Sequence, residues 1–146
     1  GPQGGDEINL IEVSKIEKNN IHNYGWAIVS AGEHYGGKID ENIDKYKKYP
    51  LYKSHLKHGF IEPLKSFVPS IGISEIVKFK KNNYIVSSLK GNKIYFFELD
   101  KNKTIKNLKE VAVNERIRDL KYKDNNLYMF MENTASIGII NLNENN

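Results

Sequence analysis

Two segments of this chain share one pattern of residue types: Val-Lys-Phe-Lys-Lys-Asn-Asn-Tyr-Ile-Val at residues 77–86 and Leu-Lys-Tyr-Lys-Asp-Asn-Asn-Leu-Tyr-Met at residues 120–129. Each segment alternates apolar and lysine residues, passes through an Asn-Asn pair and ends in an apolar run. The alternation is typical of a β-strand, and the Asn pair is typical of a tight turn, because short polar side chains tolerate positive φ. The second segment starts 43 residues after the first, so the chain is predicted to contain two copies of one β-hairpin.

Apolar runs of strand length fill the second half of the chain. They lie at residues 71–79, 84–88, 93–99, 111–113, 117–122, 127–131 and 137–142. A repeat of about 40–50 residues that carries roughly four strands is typical of a β-propeller blade. Earlier in the chain, alternation at residues 8–12 and an apolar run at 26–29 indicate further strands.

The pattern predicts an all-β fold, a partial propeller of about two and a half antiparallel, four-stranded blades. We expect one domain over residues 1–146. It comprises the end of one blade (1–31), a long loop (32–68) with a helical turn in residues 45–52, a blade (69–113) and a last blade (114–146). Because propellers close with about 4–8 blades, this chain cannot close a ring alone. Its end blades would expose apolar faces and strand edges, so we expect a homo-oligomer.

Composition excludes several classes of site. The chain has 146 residues, a net charge of +4 and no cysteine, which rules out disulfides, thiol nucleophiles and cysteine-bound metals. No window approaches the ~18 apolar residues of a membrane span, so no membrane partner is expected. The lysines are dispersed, and the densest cluster, residues 45–49, interleaves lysine with tyrosine. A solvated loop is favoured there over a nucleic-acid surface, because the segment matches no nucleic-acid-binding motif.

Only two of the 22 basic residues are arginine, and they stand one residue apart at Arg116 and Arg118. Arginine offers a planar fork that grips carboxylates or phosphates with two hydrogen bonds, whereas lysine is a point charge. On a β-strand, residues two apart face the same side, so the pair would form an anion clamp with Ile117 turned into the core. The alternative is two arginines on a solvent-facing strand edge.

The chain has four histidines, at positions 22, 34, 55 and 58. His55 and His58 have the i, i+3 spacing of a possible metal-binding pair. A solvated pair on a loop is the favoured interpretation.

A further set of motifs runs in order along nearly the whole chain. The first is a glycine-proline turn, Gly1-Pro2-Gln3-Gly4-Gly5, followed by an Asp-Glu-hydrophobic-Asn strand. The others are Asn23-Tyr24-Gly25-Trp26, Tyr35-Gly36-Gly37, Pro69-Ser70-Ile71-Gly72, Ser88-Leu89-Lys90-Gly91 and Glu115-Arg116-Ile117-Arg118-Asp119. This ordered set resembles the soluble PQQ-dependent aldose sugar dehydrogenases, the glucose/sorbosone dehydrogenase family. The resemblance implies a six-bladed propeller of which this chain is the C-terminal half or less.

The resemblance also implies a function for the parent enzyme: oxidation of the anomeric carbon of an aldose to a lactone, with PQQ accepting the hydride. By similarity, Lys90, Arg116 and Arg118 would hold the anionic oxygens of PQQ, and backbone carbonyls at Gly1 and Pro2 would bind calcium. The family's catalytic histidine lies in an earlier blade, so no catalytic residue is expected here. The fragment alone would be inactive and hold neither PQQ nor calcium, and the parent would be periplasmic or secreted. The alternative is a propeller-derived binding or structural module without redox activity.

Overall fold

The computed structural model describes residues 4–16 and 21–143, which form two compact units that meet in sequence between Ser70 and Ile71. Strands dominate the secondary structure, and the expected all-β class is confirmed. No helix in the described ranges is both long and apolar enough to cross a membrane. The single domain expected over residues 1–146 stays a prediction.

The first unit contains one small antiparallel sheet and several short helical segments. Strand β1 (Asp6–Ile8) pairs with β2 (Lys65–Phe67), and helix α1 spans Ile43–Lys48. The helical turn expected within residues 45–52 is therefore present and begins two residues earlier. Short 3-10 turns lie at Val13–Lys15, Ile39–Glu41 and Leu56–His58.

The strand expected at residues 26–29 is wrong. Residues 26–28 form a turn, because the N–H groups of Ile28 and Val29 both donate to the carbonyl of Gly25, at 2.7 and 2.8 Å. Gly25 has φ +88°, a conformation that glycine adopts without steric cost. Only Val29 enters a β-bridge, with Tyr52. The apolar run therefore forms a turn in which Trp26 and Ile28 are exposed and only Val29 is buried.

Tyr46 on α1 organises the long loop of the first unit. Its buried hydroxyl donates to Glu33 and accepts the N–H of His34 at 2.9 Å. The hydrogen bond from Tyr46 holds the pKa of Glu33 below its usual value, and burial raises the pKa of Tyr46. Lys53 adds a 3.2 Å ion pair to Glu33. Tyr46 therefore attaches the lysine- and tyrosine-rich segment, residues 45–49, to Glu33 and His34.

The second unit consists of two antiparallel sheets. The first has the order β3-β4-β5-β6, and the second has the order β7-β8-β9. The strands are β3 (Ile73–Lys80), β4 (Asn83–Ser88), β5 (Lys93–Leu99), β6 (Ile105–Ala112), β7 (Ile117–Lys123), β8 (Asn126–Met131) and β9 (Ser136–Asn141). Six of the seven predicted strands are confirmed to within two residues at each end. The exception is β6, predicted only at 111–113.

The repeated segments form two equivalent hairpins, β3-β4 and β7-β8, as the 43-residue repeat predicts. Both turns have two residues between the last paired positions, Lys80 with Asn83 and Lys123 with Asn126. Their backbones differ, because only the second turn has positive φ at both central residues, Asp124 (49°) and Asn125 (61°). The repeat therefore conserves the length of the hairpin turn but not its conformation.

An apolar core fills the space between the two sheets. Its buried members come from β4, β5, β7 and β8: Ile85, Ile94, Ile117, Leu120, Leu127 and Met129. A hydrogen bond also joins the sheets, because the hydroxyl of Ser74 on β3 donates to the carbonyl of Ile117 at 2.5 Å. Ile117 is fully buried, which confirms the predicted inward direction of the residue between the two arginines.

Replacing Ile117 with alanine should therefore destabilise the second unit strongly. The lost methyl groups leave a cavity between two sheets that cannot collapse freely, so the free energy of unfolding should fall by about 2–5 kcal/mol. Urea denaturation measures the change. The matched control is Val111→Ala on the exposed outer strand β6, where a change within about 0.5 kcal/mol is expected. Equal losses in both variants would contradict the assigned core.

Candidate functional site

Lys90 lies in the short connection between β4 and β5, held by backbone hydrogen bonds. The N–H groups of Lys90 and Gly91 both donate to the carbonyl of Ile71 at 2.9 Å, and Leu89 donates to Gly72 at 2.7 Å. Gly72 has φ +65°, and a Cβ there would lie 3.1 Å from the Lys90 nitrogen. The backbone of this hairpin is thus fixed, while the Lys90 side chain is exposed and forms no ion pair with a described residue.

Arg116 and Arg118 converge on one carboxylate. The Nε of Arg118 lies 2.7 Å from Oε2 of Glu132, and the Nε of Arg116 lies 3.3 Å from the same oxygen. The side chains are part-exposed, at 38% for Arg116 and 57% for Arg118. The predicted two-pronged clamp therefore exists as geometry, and within the chain its occupant is a glutamate.

A β-bulge lies at Arg118, where the two arginines converge. Ile117 pairs with Met131, but Asp119 pairs with Phe130, so Arg118 is an extra residue on β7. Buried positions consequently fall at Ile117 and Leu120, three residues apart. Bulges re-aim side chains and are common beside functional sites. The bulge thus shifts the register so that Glu132 lies opposite Arg116.

Glu132 is held in place by its backbone and by a neighbouring acid. Its N–H donates to the carbonyl of Arg116 at 2.8 Å. The next two N–H groups, of Asn133 and Thr134, donate to Oε1 of the buried Glu115 at 2.7 and 3.2 Å. Glu115 therefore fixes the turn that carries Glu132. Neither acid belongs to the predicted site.

Arg116 and Arg118 determine the electrostatic surroundings of Glu132. Desolvation raises the pKa of Glu132, but hydrogen bonds and charge from Arg116 and Arg118 outweigh it and hold the pKa below its usual value. Glu132 is therefore ionised at neutral pH, and one negative charge faces two positive ones. A guanidinium has five N–H donors, more than contact with a single shared oxygen uses. Some of the guanidinium donors are therefore left for another partner.

Lys90 and the two arginines belong to the same end of the two sheets. Ile73, at the start of β3, pairs with Ser88, two residues before Lys90. The next residue, Ser74, hydrogen-bonds the carbonyl of Ile117 at the start of β7. The starts of β3 and β7 therefore lie side by side, and the three cations are attached to that edge of the packed sheets.

The predicted calcium site at Gly1 and Pro2 lies outside the described residues. Within the described ranges, no group of three or more histidine, aspartate or glutamate side chains is arranged to hold a metal ion.

The interpretation of His55 and His58 as a solvated pair is wrong for His55, which is buried. Its ring nitrogens lie 3.5 Å from Oε1 of Glu7 and 3.4 Å from Oε2 of Glu62. His58 instead lies against Tyr52, with 4.0 Å between ring centroids. The two histidines therefore have separate surroundings and do not act as a pair.

Two solved structures share this fold. The soluble aldose sugar dehydrogenase of Escherichia coli, in its apo-form, aligns with a TM-score of 0.70 and 20% identity, over 97% of this chain and 39% of that chain. A glucose dehydrogenase aligns with a TM-score of 0.68 and 18% identity, over 92% of this chain and 37% of that chain. No curated protein matches the sequence. The chain thus spans well under half the length of these structures.

The fold and its structural relatives show the fold class of the protein. This chain is a segment of a β-propeller, as the repeat predicts. The family follows from the sequence. The chain belongs to the glucose/sorbosone dehydrogenase family, whose model it matches over residues 1–140. The family resemblance drawn from the ordered motifs is thereby confirmed.

Replacing Arg118 with methionine should raise the pKa of Glu132 toward its ordinary value, because the nearest cation is lost. NMR titration of the side-chain carboxyl measures the shift. In the wild type, the lowered pKa means that the contact of Glu132 with the arginines stabilises the fold at pH values above the ordinary pKa of glutamate. That stability is lost as the pH falls through the folded-state value. Lys121→Met, on the same strand, removes one charge without touching Glu132 and should leave its pKa in place. A Glu132 pKa that Arg118→Met does not move would refute the assigned contact.

Proposed function

We propose that this chain is part of a PQQ-dependent sugar dehydrogenase, in which Lys90, Arg116 and Arg118 hold the anionic oxygens of the cofactor. The observation that carries the proposal is the convergence of two arginine Nε atoms on one carboxylate oxygen, at 2.7 and 3.3 Å. The whole enzyme would oxidise the anomeric carbon of an aldose to a lactone. The family assignment supports the sugar dehydrogenase class.

The residues present fit a cofactor that carries several carboxylates. Arg116 and Arg118 already bind a carboxylate of the chain itself, so their spacing suits that group. Arginine supplies directed donors and Lys90 a mobile point charge, which together suit a rigid polyanion. PQQ, when bound, supplies the quinone that accepts hydride. Fixed cations beside it would stabilise the negative charge that the quinone gains.

The enzyme would need further groups besides the clamp. We infer that the catalytic histidine belongs to an earlier blade, so the chain alone should not turn over sugar. By family resemblance, calcium would bind at Gly1 and Pro2 through backbone carbonyls, which are hard oxygen donors of the kind that calcium prefers. We also propose that the whole protein is periplasmic or secreted.

A second candidate is a propeller-derived binding or structural module without redox chemistry. The observation that favours it is Glu132, which already satisfies part of the charge of both arginines. In that case the cluster would be a structural ion-pair network at the start of β7. The two candidates differ in whether an added polyanion reaches the arginines.

The chain alone is not expected to retain PQQ, but at high PQQ concentration we expect weak and specific contact with the clamp. Because the chain has only two arginines, a ¹⁵N spectrum of arginine Nε–H groups contains two signals, both from the site. Adding PQQ should shift both signals, with millimolar rather than tight affinity, because only one wall of the pocket is present. Arg116→Lys and Arg118→Lys assign the signals and should each weaken binding, since the directed fork is lost.

Lys121→Gln is the matched control, since it removes one charge from the same strand and should leave the affinity for PQQ unchanged.

With PQQ and calcium added, the chain should show no dye-linked oxidation of aldoses. Arginine signals that stay in place at saturating PQQ would favour the module without redox chemistry. Measurable sugar oxidation would instead refute the inference that the catalytic histidine lies outside this chain.

Replacing Glu132 with glutamine should strengthen PQQ binding several-fold. The substitution keeps the size of the side chain but removes the negative charge that competes for both guanidinium groups. The shift of the arginine signals with PQQ concentration measures the affinity. Glu110→Gln changes the net charge equally, at an exposed acid that pairs with Lys93 instead, and should leave binding unaltered. If both variants bind alike, net charge and not the clamp determines the affinity.

A further inference from the structure

Glu115 is a buried acid whose carboxylate binds the backbone of a neighbouring turn. The residue is 9% exposed, and its Oε1 accepts the N–H groups of Asn133 and Thr134 at 2.7 and 3.2 Å. Burying a carboxylate is costly unless hydrogen bonds replace those it made with water. Two consecutive backbone donors meet that need, so Glu115 and the turn hold each other in place.

The turn continues the pairing of β7 with β8 past its last pair of residues, Ile117 and Met131. The N–H of Glu132 donates to the carbonyl of Arg116 at 2.8 Å. The next two N–H groups of the turn donate to the side chain of Glu115 instead of a strand carbonyl. Three consecutive amides of the turn are therefore fixed by the two residues directly before β7.

The contact of Glu132 with the arginines depends on this support. The side chains of Arg116 and Arg118 are 38% and 57% exposed, and that of Glu132 is 33% exposed. Ion pairs this exposed gain little from charge attraction, because water screens them and long side chains lose rotational freedom. A carboxylate whose backbone is already fixed loses less freedom on contact. Glu115 therefore strengthens these ion pairs through the backbone of the turn.

We propose that Glu115 is a positioning residue for the clamp of Arg116 and Arg118. By fixing the turn, it holds Glu132 against both guanidinium groups and so limits how readily another anion replaces that acid. With the turn released, Glu132 would leave the arginines more often, and an added anion would bind them more strongly. That the anion is PQQ rests on the proposed function, whereas the positioning of Glu132 can be measured without any ligand.

The pKa of Glu132, measured by NMR titration without a ligand, tests the positioning. Glu115→Met removes the acceptor and should raise the pKa of Glu132 toward its ordinary value. Loss of the Glu115 charge by itself would have the opposite sign, because removing a nearby negative charge favours an ionised carboxylate. Glu115→Gln removes the same charge but keeps an acceptor oxygen at the same reach, so it should not raise the pKa.

Two results of that titration would overturn the proposal. One is a pKa of Glu132 that Glu115→Met leaves unchanged or lowers. The other is an equal rise in Glu115→Met and Glu115→Gln, because the acceptor oxygen would then not be the cause.

Two further variants separate positioning from general stability. Glu115→Asp keeps the charge on a shorter side chain and replaces Glu115→Met if that variant does not fold, with a rise in the pKa of Glu132 again expected. Leu127→Val reduces a buried side chain in the core of the same hairpin and should leave the pKa of Glu132 in place. Far-UV circular dichroism establishes that each variant is folded. If Leu127→Val raises the pKa as much as Glu115→Met, loss of stability is the cause and the proposal fails.

The affinity for PQQ, followed on the two arginine Nε–H signals, tests the consequence for a ligand. Glu115→Met should bind PQQ several-fold more strongly than the wild type. In the Glu132→Gln background, where the competing charge is already removed, the same change should have no further effect. An equal gain in both backgrounds would overturn a route through Glu132. A raised pKa of Glu132 with arginine signals that do not respond to PQQ in any variant would refute the proposed cofactor and support the positioning.

Discussion

The burial of Ile117 between the two sheets of the second unit is the constraint on which the site depends. Its side chain is fully buried, and its carbonyl accepts the hydroxyl of Ser74 from the neighbouring sheet. With Ile117 fixed in the core, Arg116 before it and the bulge residue Arg118 after it are part-exposed. Apolar packing and the bulge together, rather than any attraction between charges, therefore place the two cations at the edge of the sheets.

Periodicity predicts most of the second unit because its strands bury one face and alternate accordingly. β6 was mostly missed because six of its eight residues are exposed, so burial imposes no alternation and its pairing with β5 determines the strand. The strand predicted at residues 26–29 does not form, although the residues are apolar. Gly25 accepts two hydrogen bonds that close a turn.

The arginines of this ion-pair cluster stand out in the sequence, whereas its acids do not. Two arginines in a lysine-rich chain are visible in the sequence, whereas Glu132 is one acid among many. The position of Glu132 follows from the pairing of β7 with β8. If the pairing continued without a bulge from Lys123 and Asn126, Glu132 would lie opposite Ile117. The bulge at Arg118 shifts the register by one residue and puts Glu132 opposite Arg116. Each hairpin has a register shift near the start of its first strand, between Ile73 and Glu75 and between Ile117 and Asp119, and the periodicity of the sequence does not reveal either one.

A carboxylate inside an anion clamp has a physical rationale. Two guanidinium groups that share one point of approach repel each other, and an internal carboxylate offsets that repulsion when no ligand is present. Glu132 is well suited to this role because Glu115 and the backbone of Arg116 already hold its turn, so little further entropy is lost on contact. A monocarboxylate would gain little by displacing it. Under the proposed function, a ligand with several carboxylates would make several new contacts for the one contact with Glu132 that it displaces, so Glu132 would favour such ligands.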